Sequence, residues 1–174
     1  MGKTAVIYRS KSGFTKTYAE WIAQETGAEL FEAKHIKPSD LEKFDTIVYG
    51  GGLYAVGING VKLIKKNLEK LKGKKIIVFS VGASTVRDEI IEEVRNKNFT
   101  KEQQELIDFY MLRGGFDYGT IGLFDKFLMQ LLKMQLKSKE ELTADERGML
   151  NSYDHPVDFR KRERIEPIVA AINE

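Results

Sequence analysis

Three stretches of the chain, residues 4–8, 46–49 and 76–81, are apolar and β-branched with almost no polar interruption. Runs of this kind and length suit strands covered on both faces, as in a parallel sheet. Residues 29–33 alternate instead and predict an edge strand, and residues 109–112 predict a fifth. Between these runs the period becomes helical. Phe14, Tyr18, Trp21 and Ile22 share one face of a helix that ends before Gly27. Val61, Ile64, Leu68 and Leu71 share a face of a second, which ends at Gly73. Residues 87–96 and 101–108 carry further helical pattern. Strands alternating with helices predict βαβ units and an α/β fold around a parallel sheet.

The C-terminal third is less regular. Glycine-rich residues 113–122 lead into an amphipathic helix over 123–136, and a charged stretch follows over 137–147. A last helix contains Ile165, Ile168, Val169 and Ile172, with Pro167 either kinking it or sitting in its first turn. Along 123–136, Phe124, Phe127, Leu128, Leu131 and Leu132 form an apolar stripe flanked by Lys126, Lys133 and Lys137. Such a stripe packs on the protein's own sheet, meets a second copy in a homodimer, or lies at an anionic membrane surface. No repeat or low-complexity linker divides the sequence. The expectation is one domain over 1–174, with 122–150 as an extra helical and charged segment.

Composition narrows the chemistry. There is no cysteine among the 174 residues, which excludes disulfides, thiol catalysis, iron–sulfur ligation and cysteine zinc sites. Two histidines, His35 and His155, are too few for most histidine metal sites, and no metal is expected. Redox chemistry would therefore need a bound organic cofactor. A net charge of +2 does not argue for nucleic acid, and the lysines at 62, 65, 66, 70, 72, 74 and 75 read as a solvated face. No apolar run approaches the ~18 residues of a membrane span. Residues 5–8 are too short for a signal-peptide core, so a cytoplasmic location is expected.

The first strand runs straight into Ser10, Lys11, Ser12, Gly13, Phe14 and Thr15, where a helix begins. Unpaired backbone N–H groups and the positive dipole end of a helix suit a phosphate. Three hydroxyls can donate to its oxygens, and Gly13 lets the backbone approach. A simple helix cap needs only one hydroxyl. The dinucleotide fingerprint G-x-G-x-x-G is absent, and Gly2-Lys3-Thr4 precedes its strand rather than following it as a P-loop would.

This loop resembles the [ST]-x-[ST]-G-x-[ST] phosphate loop of flavodoxins, in the same place after the first strand. The resemblance implies a doubly wound, five-stranded parallel sheet of order 2-1-3-4-5 that binds FMN at its switch point. It also implies that the flavin ring lies between the loops after the third and fourth strands. Here those carry Gly50, Gly51, Gly52, Leu53 and Tyr54, and Ser80, Val81, Gly82 and Ala83. Tyr54 is the expected stacking residue. Residues 50–60 and 80–86 hold no charged side chain, so no carboxylate is expected near the flavin, unlike in acidic flavodoxin electron carriers.

Residues 112–118 and 123–129 look like the quinone-dependent protoporphyrinogen IX dehydrogenase branch of these proteins. That likeness implies an FMN-dependent oxidoreductase of haem biosynthesis, which oxidises a tetrapyrrole and passes electrons to a quinone. A one-electron carrier between protein partners and a non-catalytic flavin-binding module are the alternatives. No residue presents itself as a catalytic acid or base; Arg113 either faces a substrate propionate or braces a strand end.

Overall fold

The computed structural model describes residues 2–120 and 122–174, and the side chains of all of these except Phe124 and Asp145. Strand β1 (Thr4–Arg9) leads into α1 (Phe14–Thr26), and β2 (Glu29–Glu32) follows. Strand β3 (Thr46–Tyr54) turns back into the short β4 (Gly57–Ile58), and the single turn α2 (Lys62–Lys65) precedes β5 (Lys75–Gly82). Helices α3 (Asp88–Asn98) and α4 (Lys101–Gln104) lead to β6 (Asp108–Arg113) and β7 (Gly115–Phe116). Helices α5 (Leu123–Lys137) and α6 (Ala144–Ser152), strand β8 (Val157–Asp158) and helix α7 (Glu166–Asn173) complete the chain.

The parallel strands lie in the order β2-β1-β3-β5-β6, which is 2-1-3-4-5 when only parallel strands are counted. The continuous apolar runs explain why both faces are covered. Ala5, Ile7, Ile47, Tyr49, Ile76 and Val78 point to one side, where Ile64, Leu71 and Val94 meet them. Val6, Val48, Ile77 and Phe79 point to the other, against Tyr18 and Ile22 of α1 and Ile168 of α7. The chain leaves β1 for β2 on one side and reaches β3 on the other, and this reversal opens a crevice at the strands' C-terminal ends.

Several elements differ from the expected ones. The second helix is broken. Asn67 leaves helical geometry (φ −114°) and donates its side-chain amide to the Leu63 carbonyl at 2.7 Å, so α2 stops and Leu68–Leu71 forms a 3₁₀ turn. Val61, Ile64, Leu68 and Leu71 are buried all the same. The helix expected over 101–108 is one turn long, because Ile107 enters the core and β6 begins at Asp108. The glycines after Tyr49 are not loop: β3 continues through them to Tyr54. Within the charged stretch, α6 starts at a Thr143–Glu146 capping box. Pro167 sits in the first turn of α7, where its missing N–H is harmless.

Gly50 shows what the glycine run does inside a strand. A Cβ there would be driven into the ring of the fully buried Phe79. Gly50→Ala is expected to lower stability by about 1–3 kcal/mol, as overpacking does. A lower denaturation midpoint with unchanged slope would report this.

Candidate functional site

The turn between β1 and α1 is held from within. Ser10 Oγ accepts the Gly13 N–H at 3.0 Å, and Gly13 takes a left-handed φ of +89°. A Cβ at Gly13 would meet nothing, so the glycine is there for its conformation rather than for space. No side chain caps the helix at Gly13, and its first turn has no acid, which leaves its N–H groups open to an anion. Ser12 and Thr15 line a cavity of about 300 Å³ beside this helix end, and Thr15 is buried.

The opposite wall is the β3–β4 hairpin, which is braced from below. Asn98 accepts the Ile58 N–H at 2.9 Å and donates to the Val56 and Val94 carbonyls at 2.7 Å each. Tyr49 donates its hydroxyl to the Asn59 carbonyl at 2.8 Å, and the Asn59 N–H donates to the Gly52 carbonyl at 2.9 Å. A Cβ on Gly51 would strike Ile58 and Asn59, so only glycine allows this close return. The hairpin presents Leu53, Tyr54 and Ala55 to the cavity, with Ala55 itself at a positive φ of 50°. Val81, Gly82 and Ala83, at the end of β5 and just beyond it, form a third side.

Helices α5 and α6 close the cavity with Leu128, Met129 and Met149, and Phe116 of β7 adds to that wall. They are seated by aromatic contacts. Tyr153 donates its hydroxyl to the Met129 carbonyl at 2.6 Å, and its ring lies 5.7 Å from that of Phe116 and 5.3 Å from that of Tyr118. Asp125, in the first turn of α5, joins three parts of the chain. Its carboxylate accepts from Lys11 Nζ at 3.0 and 3.2 Å and from the Tyr54 hydroxyl at 2.7 Å, while the Lys11 amine lies 4.1 Å from the Tyr54 ring centroid. The Tyr54 hydroxyl and the Lys11 amine hold the Asp125 carboxyl below the usual carboxylate range. Partial burial raises the Tyr54 phenol, with Lys11 opposing. Partial burial works against the Lys11 charge, but Tyr54 and Asp125 outweigh it and the balance is upward.

Of the residues singled out in the sequence, Lys11, Ser12, Phe14, Thr15, Gly52, Leu53, Tyr54, Val81, Gly82 and Ala83 line this one cavity. Ser10 and Gly13 shape the turn beside it. Gly50 and Gly51 lie within β3, and Ser80 is fully buried in β5 with its hydroxyl unpartnered. Arg113 is a brace: its Nε donates to the Ala83 carbonyl at 3.2 Å and its guanidinium lies 3.7 Å from the Phe159 ring centroid. The expectation of a site without a nearby carboxylate does not hold once the chain is folded. Asp125 is 71 residues from Tyr54 and 114 from Lys11, and no local pattern connects them. Asn59, Gly115, Phe116, Leu128, Met129 and Met149 were likewise not singled out for the site; the last three sit in helices whose lining face cannot be read from periodicity.

A sequence-family profile described as "Flavodoxin domain" matches residues 5–143. An uncharacterized protein of Methanocaldococcus jannaschii is 27% identical over 130 residues, covering 70% of this chain and 82% of that protein. Among solved structures, a flavodoxin from the domain Archaea is similar at 16% identity and a TM-score of 0.44, covering 87% of this chain and 96% of its own. Oxidised flavodoxin 1 from Bacillus cereus is similar at 18% identity and a TM-score of 0.45, covering 81% of this chain and 99% of its own.

Proposed function

The chain belongs to the flavodoxin domain family, and from that premise we propose that it binds one FMN and oxidises a small organic substrate with a quinone as acceptor. One observation carries the reading: Ser12 and Thr15, beside an uncapped helix end, line the same cavity as Tyr54 and Ala83. The residues suit the group. Donors gather at one end for a phosphate, and Leu53, Tyr54, Val81 and Met129 offer an apolar lining for a planar ring. When bound, FMN would supply reversible two-electron chemistry that no side chain of a cysteine-free protein offers.

The chain's own part is to bind, to orient and to exclude water. Ser12, Thr15 and the first N–H groups of α1 would hold the phosphate, and the hairpin would fix Tyr54 at the ring. Leu128, Met129 and Met149 give the cavity an apolar roof, which favours a small organic substrate over direct docking of a protein partner at the ring. The likeness of residues 112–118 and 123–129 to the protoporphyrinogen IX dehydrogenase branch makes that tetrapyrrole the first substrate to test.

The purified protein is expected to carry a yellow chromophore with the mass of FMN. Anaerobic protoporphyrinogen IX should bleach the flavin band, and a menaquinone analogue should restore it. If only a ferredoxin-type protein reduces the flavin, the chain is an electron carrier instead. If neither does, it is a flavin-binding module.

A further inference from the structure

Helix α5 is apolar on two sides. One side, with Asp125, Met129 and Leu136, faces the body of the protein, and Asp125 and Leu136 are buried there. The other carries Leu123, Phe127, Leu131 and Met134, which are 87%, 60%, 49% and 68% exposed. At ~100° per residue these four fall within an arc of about 80°, so they make one continuous strip. The strip differs from the stripe read in the sequence: Leu132 turns partly inward, Leu123 takes part, and the Phe124 side chain lies outside the described residues. Apolar side chains gathered on the solvent side of a helix do not serve the protein's own core.

We propose that this strip docks on an anionic lipid bilayer, with α5 lying along the surface. The surrounding charge selects the occupant. Lys126 and Lys137 border the strip, and Lys133 lies further round, 3.9 Å from Asp154. Asp125 is the only acid among the fifteen residues of α5, and it is buried against Lys11. A second copy packed antiparallel on the strip would set these lysine edges against each other with no acid of α5 to answer them. An anionic headgroup layer would answer them, and acyl chains would take the aliphatic and aromatic side chains. The helix would lie on the bilayer rather than cross it. Fifteen residues span about 22 Å against ~30 Å of hydrocarbon, and no described helix is long and apolar enough to cross. Because Leu128 and Met129 of α5 also line the cavity, docking would bring the cavity's roof to the membrane surface. The inference stands on the surface of α5 alone and does not depend on the flavin reading.

The test is co-sedimentation of the full chain with phosphatidylcholine vesicles, with and without phosphatidylglycerol. Wild type is expected to bind the anionic vesicles and to ignore the neutral ones. Phe127→Ser with Leu131→Ser should abolish binding while circular dichroism stays unchanged, since both side chains are exposed. Lys126→Gln with Lys137→Gln should weaken it about thirtyfold, at ~1 kcal/mol for each cation near an anionic surface. The lysine pair keeps the test decisive if the serine pair fails to fold. Three results would overturn the proposal: wild type that ignores anionic vesicles, binding that survives in folded variants, or a wild-type dimer by light scattering that the serine pair dissociates.

Discussion

Thr15→Val combined with Ser12→Ala is expected to weaken FMN binding by about two to four orders of magnitude and to leave riboflavin binding almost unchanged. Each change removes a hydroxyl that can donate to a phosphate dianion, a charge-assisted bond of roughly 1.5–3 kcal/mol, or about tenfold to more than a hundredfold in affinity. Thr15 is only 3% exposed, and valine matches its shape, so the fold should tolerate the change. Riboflavin lacks the phosphate and would meet the same ring walls, including Tyr54 and Ala83. Ser10→Ala provides the contrast. Its Oγ accepts the Gly13 N–H at 3.0 Å and shapes the turn itself, so its loss should affect the loop whichever ligand is added. Quenching of flavin fluorescence on titration measures all of these. Equal losses for FMN and riboflavin in the Thr15 and Ser12 variants would falsify the phosphate assignment.

The contrast between Ser10 and Thr15 shows what the sequence could and could not convey. Local chemistry was legible. Three apolar runs, the alternating stretch at 29–33 and the shorter stretch at 109–112 predicted the five parallel strands, and three hydroxyls with a glycine at one strand-to-helix turn marked the place where Ser12 and Thr15 meet the cavity. The helix α6 is missing from that reading: residues 137–147 read only as a charged stretch, although Thr143 and Glu146 have the spacing of a capping box. Long-range pairing was not legible. Whether residues 50–54 end a strand or extend it depends on a return through Ile58 and on the brace from Asn98, 40 residues further on. The periodicity of α5 announced apolar residues without saying which of them face inward. A helix with one wall in a cavity and an apolar strip in solvent has two candidate faces, and only packing separates them.

Asp125 is where such long-range pairing meets the cavity, and Asp125→Asn is expected to loosen the cavity's roof. Among the described residues, the carboxylate is the one point at which α5 grips both the β1–α1 loop, through Lys11 at 3.0 Å, and the hairpin, through the Tyr54 hydroxyl at 2.7 Å. Asparagine keeps the shape but loses the charge that favours Lys11. The Lys11 side chain is 47% exposed, so water can take over its solvation and the loss stays modest. An order-of-magnitude rise in amide exchange across α5 and α6 is expected, equivalent to about 1.4 kcal/mol of local opening, with β1, β3 and β5 unaffected. The pH dependence has a definite sign. The folded Asp125 carboxyl titrates below its ordinary value, so the grip is complete above the unfolded value of ~3.9 and is lost as pH falls through the lower folded value. Exchange in α5 should therefore accelerate in wild type at acid pH, beyond the intrinsic change, and Asp125→Asn should lack that step. Tyr54→Phe separates the two partners, because it keeps the ring beside the Lys11 amine and removes only the hydroxyl. A double-mutant cycle between Asp125→Asn and Tyr54→Phe should show coupling, since the first turns a charge-assisted bond into one to a neutral amide oxygen and the second removes that bond. If exchange in α5 is unchanged in both variants and the cycle is additive, the roof is seated by Tyr153 on the Met129 carbonyl and by the Phe116 and Tyr118 rings. Asp125 would then only fill the first turn of its helix.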